Sequence, residues 1–190
     1  LWFYTAHRWW GTQNQAPGIF YNATQSSLFY TPDTSKPFFT KNYYQDHTVR
    51  LTWQAGSKHK INFNFATQDN CQCTVGPGLN APEAYVEVHF SPIHMETVHW
   101  SYPASNRLLI EATAAHLYGG RKNKPLPGVS PSAIQVTELS TGLTYGAKWG
   151  VSSIEYSDGI YYRTIQSKAS VAYITGSHAL KVGITTLSGE

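Results

Sequence analysis

The chain has 190 residues, a length that suits one domain, and a net charge of only +3 with Lys and Arg scattered along it. A charge so small and dispersed argues against a nucleic-acid partner, and no apolar run approaches the roughly 18 residues of a membrane-spanning helix. Charged residues are 13% of the chain and aromatics 14%, with six Trp and thirteen Tyr, whereas an ordinary soluble domain carries about 25% charged residues. Few charges beside many Trp and Tyr suit either a membrane barrel, whose rings gather at both water boundaries, or an aromatic-rich secreted β-sandwich. The chain begins at Leu1 inside a strand-like pattern and stops just after another, so it reads as a segment of a larger protein.

In chain order, 1–10 is a strand candidate with aromatics on both faces. Residues 11–46 contain Pro17-Gly18, Thr31-Pro32-Asp33 and Lys36-Pro37 and read as a long loop. Strands at 46–55 and 59–67 flank a Gly56-Ser57 turn. Val49, Leu51, Trp53, Ile61, Phe63 and Phe65 fall on one face of this hairpin, and Thr48, Arg50, Thr52, Gln54, Asn62 and Asn64 on the other. A second loop, 67–84, carries Cys71 and Cys73, a pair that reads as a local disulfide of an exported protein.

Strand texture returns at 85–102, with a bulge or bend expected at Pro92, and continues at 107–117 after a turn at 103–106. A third long connection, 118–159, holds a candidate hairpin around 134–145. Strands at 160–175 and 179–188 then repeat the Gly-Ser hairpin at Gly176-Ser177. Short turns near 57, 105 and 177 thus alternate with long connections at 11–46, 67–84 and 118–159. An up-and-down sheet places the two kinds on opposite edges, as outer-membrane barrels do with periplasmic turns and extracellular loops. The expected fold is all-β: an antiparallel up-and-down meander of about seven strands, a partial transmembrane β-barrel left open, with 1–190 forming part of one barrel domain.

The runs Leu1-Trp2-Phe3-Tyr4, Asp69-Asn70-Cys71-Gln72-Cys73, Ser105 to Ala112, Val136 to Gly142 and Val171 to Gly183 resemble the barrel of TonB-dependent outer-membrane receptors. The kin they suggest are large receptors with a carboxypeptidase-regulatory-like amino-terminal domain. The resemblance implies a 22-stranded barrel around a plug, in the bacterial outer membrane. It also implies uptake of a large or scarce nutrient, such as a siderophore or glycan, powered through the TonB energy-coupling system. Neither plug nor TonB box lies in these residues. Outer-membrane lipid is the implied partner, and the alternative is a secreted β-sandwich that binds carbohydrate.

With the polar face turned to a wet lumen, Val49, Leu51, Ile61, Phe63, Val171, Val182 and Ile184 are expected to face lipid. Trp53, Trp100, Tyr102 and Tyr173 are expected to form the belt on the short-turn side. Loop aromatics Phe20, Tyr21, Phe29, Tyr30, Phe38 and Phe39 are candidates for stacking on a bulky ligand, or for packing the loop onto its neighbours.

Metal and catalytic signals are weak. His89, His94 and His99 recur every five residues, with His89 and His99 expected on the polar face, but match no zinc pattern. They read as lumen or loop histidines, and His59 and His178 as turn residues. Gly128-Val129-Ser130-Pro131-Ser132 lacks the second Gly of a nucleophile elbow, and Glu111 and Glu138 have no argued pairing for acid–base work. The sequence therefore points to no enzyme, no metal and no cofactor.

Overall fold

The structure is a computed structural model, described for residues 1–24, 28–75, 79–130, 132–148 and 159–190. Seven strands form one antiparallel sheet in the order β1 (Trp2–Asn22), β2 (Pro32–Ala55), β3 (His59–Val75), β4 (Val86–Ser105), β5 (Leu108–Pro125), β8 (Ile160–Thr175) and β9 (His178–Gly189). A small hairpin, β6 (Val136–Thr137) with β7 (Thr144–Tyr145), interrupts the meander between β5 and β8. The fold is all-β, and the sheet is an open meander with β1 and β9 at its edges.

The strands outrun the expected boundaries. β1 and β2 pair from Trp2↔Thr52 to Asn22↔Pro32, so strand covers most of the expected 11–46 loop. β3 likewise continues to Val75, and β5 to Pro125. Polar residues on both faces imitate a loop, yet the backbone ladder needs only a neighbouring strand and is indifferent to side chains that meet water on either side. Pro17 and Gly18 are absorbed by a register shift between Gln15 and Phe20, with Gly18 at φ 73°. On that edge the successive strands of the sheet are joined by 23–31, 76–85 and 126–159, against 56–58, 106–107 and 176–177 on the other. The alternation of long and short connections persists with these narrower bounds.

Register also fixes faces. Phe3, Leu51, Phe63, Val98, Ala114, Ser167 and Thr186 lie in one cross-strand row. The ambiguous β1 therefore sends Phe3, Thr5, His7 and Trp9 to the Leu51 face. On β4 a register shift between His89 and Ile93, around Ser91-Pro92, inverts the alternation. As a result His89 pairs with Cys71 on the Leu51 side, while His99 pairs with Asn62 on the polar face. The even spacing of the histidines hides this inversion.

Toward the long-connection end of β5 two glycines lie under rings of the facing strand. Gly119 pairs with Tyr162 and Gly120 with Tyr161, and a Cβ at Gly120 would sit 2.7 Å from the Tyr161 ring. The ring covers backbone that glycine leaves bare, the cross-strand device known as aromatic rescue. Gly120→Val is expected to evict the Tyr161 ring and cost about 1–3 kcal/mol, measured as a lowered denaturant midpoint with unchanged m-value.

Candidate functional site

Two surfaces and a cap emerge from this register. The first surface is the Leu51 face. Val49, Leu51, Ile61, Phe63, Val171, Val182 and Ile184 all lie on it. Val49, Leu51, Ile61 and Phe63 are half-buried by their sheet neighbours alone, and Val171, Val182 and Ile184 are exposed. Among the described residues no second layer covers them.

Stacked rings border this stripe at both ends. Near the short turns, His59 lies 4.6 Å from Tyr102 and 5.9 Å from Trp100, centroid to centroid, each pair tilted by 16°. The Trp100 indole N–H donates to His59 Nδ1 at 3.1 Å, and Trp53 and Tyr173 share the face. Toward the long connections, Phe65, His94, Tyr118 and Tyr161 stack in sequence across β3, β4, β5 and β8 at 6.0, 6.4 and 6.1 Å. His94 thus lies within a strand, not in a loop, and on the Leu51 face. Sequence reading missed this upper ladder because its members come singly from four strands. The Glu96–His116 pair, 2.7 Å apart, shares the row of Val49 and Phe65, one row nearer the short turns than His94 and Tyr118, and interrupts the apolar stripe on β4 and β5.

The opposite face is a polar lattice. Arg50 Nε donates to Asn64 Oδ1 at 3.2 Å, and Thr52 Oγ1 to Asn62 Oδ1 at 3.0 Å. Asn62 meets His99 at 3.5 Å, and His99 approaches Glu111 at 3.7 Å. Lys181 donates to Glu111 at 3.0 Å from two strands away. Gly183, paired with Ser170 on the intervening strand, keeps that path open: a Cβ there would stand 2.7 Å from Ala169 O and 3.0 Å from Ser170 Cβ. Such a chain of water-facing hydrogen bonds suits a wet surface and offers no carboxylate pair for chemistry.

The cap sits at the long-connection edge, where the enclosed side chains gather. A single 3-10 turn, Pro82–Ala84, places Glu83 in the interior. Its Oε1 accepts from Asn22 Nδ2 at 3.0 Å and from the Gly146 N–H at 3.4 Å. One carboxylate thereby ties the end of β1 to the β3–β4 connection and to the residue after β7. Backbone bonds Thr144 N–H to Leu79 O and Ala81 N–H to Thr144 O reinforce the join.

Phe38 is 1% exposed, with Tyr85 at 5.1 Å and Tyr21 edge-on at 5.7 Å. Tyr30 donates to Phe20 O, Tyr145 donates to Leu28 O, and their rings are 6.0 Å apart; burial pushes the Tyr30 phenol upward in pKa. Of the six candidate aromatics, Phe38 is therefore packed inside the cap, Phe20 and Tyr30 are half-buried, and Phe29, Phe39 and Tyr21 present surface. On the rim, the Ser35 hydroxyl and the Lys36 ammonium hold the Asp33 carboxyl down at about 2.

Cys71 and Cys73 are bonded to each other inside β3, not in a loop, and Cys71 Sγ lies 3.6 Å from His89 Nε2. Among the described residues no group of three or more His, Cys, Asp or Glu is placed to hold a metal. The serines expected to fail as nucleophiles are Ser130 and Ser132, whose hydroxyls bond to one another; Pro131 lies outside the described residues.

Comparison with protein-family models, with curated proteins and with solved structures returned no match.

Proposed function

We propose that this chain is a section of an outer-membrane β-barrel wall, of the TonB-dependent receptor type, serving uptake of a large or scarce nutrient. One observation carries the membrane reading: an uncovered face with stacked rings at both ends, apolar between them save for the mutually paired Glu96 and His116. Tyr102 and His94, one from each ladder, are eight residues apart on β4, about 26 Å at strand rise. With strands leaning by about 30° this is about 23 Å in height, close to the lipid-facing band of about 25 Å between aromatic girdles. Water on one face and hydrocarbon on the other also suits the polar lattice, since a wide barrel has a wet lumen.

The slant of the stripe adds support. Its centre is Leu51 on β2 and Val182 on β9, yet the row through Leu51 reaches β9 at Thr186, four residues away. Four residues amount to about 13 Å along the strand, against about 24 Å across the five intervening strand spacings. A stripe level with the membrane therefore implies strands leaning by about 30°, near the 35–45° of such barrels. Both outer edges, β1 and β9, need pairing in hydrocarbon, so closure takes further strands.

The carbohydrate-binding sandwich needs a second sheet over the Leu51 face. The one other sheet among the described residues is the two-stranded β6–β7 hairpin, which joins the cap instead. Nutrient uptake and TonB coupling rest on the sequence resemblance, and the cap is where a ligand entering from outside would first meet the protein.

The test is to fold the chain with and without lipid vesicles containing brominated acyl chains. Expected are strand content and cooperative unfolding only with lipid or detergent, and quenching of Trp fluorescence by bromine. A monomer folding cooperatively in plain buffer, with its Trp emission untouched by brominated lipid, would overturn the reading.

A further inference from the structure

We propose that His7 and His47 form a two-imidazole chelating site for a late first-row divalent ion, with Cu²⁺ preferred. The residues face each other directly across β1 and β2. Their Nδ1 atoms are 2.7 Å apart and their rings 5.0 Å apart, tilted by 57°. Between two Nδ1 atoms only one can carry a proton, so the other presents a lone pair toward its partner. Moving that proton to the same ring's Nε2 frees both Nδ1 lone pairs, and a metal with bonds of about 2.0–2.1 Å needs the nitrogens only about 2.9–3.4 Å apart. A few tenths of an ångström of side-chain rotation supplies this.

The backbone holds the pair ready. On the opposite face the adjacent cross-strand pair, Arg8 and Asp46, is bridged at 3.0 Å. The unbroken ladder from Trp2↔Thr52 to Gln15↔Phe39 sets the two histidines opposite one another, and the bridge keeps the Arg8 charge off the imidazole side. His7 is exposed and His47 half-exposed in the row of His94, at the border of the apolar stripe and not within it, where water can complete the coordination sphere. Trp9 meets the His47 ring edge-on at 6.2 Å, which places an indole reporter beside the site. Imidazole suits Zn²⁺, Ni²⁺ and Cu²⁺, and for a given nitrogen set affinity peaks at Cu²⁺. The site depends only on the β1–β2 register and not on the membrane reading, so the two stand or fall separately.

The experiment titrates CuCl₂ into the detergent-solubilised chain at pH 7.5 in a non-coordinating buffer, following Trp quenching and the electron paramagnetic resonance of the bound ion. Expected is one ion per chain showing coupling to two nitrogens. His7→Gln and His47→Gln are each expected to weaken binding by about tenfold or more, since losing one of two linked ligands removes the gain from their connection. His178→Gln, in the distant turn, is expected to change nothing.

A second arm needs no variant: carbethoxylation mapped by mass spectrometry, with ZnCl₂ expected to protect His7 and His47 together and to leave His178 reactive. Unchanged affinity in both variants, coupling to one nitrogen only, or no joint protection would each overturn the proposal.

Discussion

Val182→Arg is expected to lower stability by about 2–4 kcal/mol in lipid vesicles, the cost of a cation on the outer face of a barrel at the bilayer midplane. Val182 is 76% exposed and touches little protein. For a sheet standing in water, a substitution at so open a site would shift stability by no more than about 0.5 kcal/mol in either direction. The two outcomes differ in kind, because the side chain can lose nothing but its contact with the surrounding solvent. Leu51→Arg, at the centre of the stripe on β2, is expected to cost a similar amount. Lys181→Arg, the neighbour facing the polar lattice, is expected to stay near zero while the Glu111 ion pair survives. Denaturant unfolding from vesicles of fixed lipid composition gives all three values. Val182→Arg behaving like Lys181→Arg would remove the lipid from the Leu51 face.

How the sequence encodes this fold differs along each strand. Near the short turns, alternation was legible because one face is apolar: Thr48 to Phe65 announces a hairpin, and pairings such as Leu51↔Phe63 follow from it. Toward the long connections the alternation disappears, since both faces meet polar surroundings, and Thr12, Gln13 and Asn14 look like loop while standing in a ladder with Asn42, Lys41 and Thr40. No local composition records a strand whose only requirement is a neighbour. The aromatics of the cap were visible as a cluster, but Phe38 and Phe39 look alike in sequence. One residue of alternation sends Phe38 inside and leaves Phe39 on the surface. Glu83 gave no signal, because a carboxylate that accepts from Asn22 and Gly146 joins parts of the chain 61 and 63 residues apart. His7 and His47 fell in separate segments, one in a strand whose facing was open, so their meeting waited on register.

Phe38→Ala is expected to loosen the cap by about 3–5 kcal/mol, the range for emptying a buried Phe site, while the sheet beneath stays formed. The reason is where the enclosed volume lies. Phe38, Ala81, Ala84, Val86, Tyr145 and Ala147 are buried at the long-connection edge, whereas the β2–β3 hairpin around Leu51 and Phe63 is held by its own ladder. A cavity therefore weakens the join among β1, the 3-10 turn and the β6–β7 hairpin without reaching the stripe, the behaviour of a separate cooperative unit. Amide exchange should show it: faster exchange at Ala81, Ala84 and Tyr85, which bond within the cap, and unchanged exchange at Leu51 and Phe63. Glu83→Ala is expected to act in the same place, because each buried donor it strands, Asn22 Nδ2 and the Gly146 N–H, costs about 1–3 kcal/mol. The two substitutions share one unit, so their effects should fall short of additive. Exchange rising equally in cap and stripe would mean one cooperative body. Exchange unchanged in the cap would mean that Phe38 holds nothing in place.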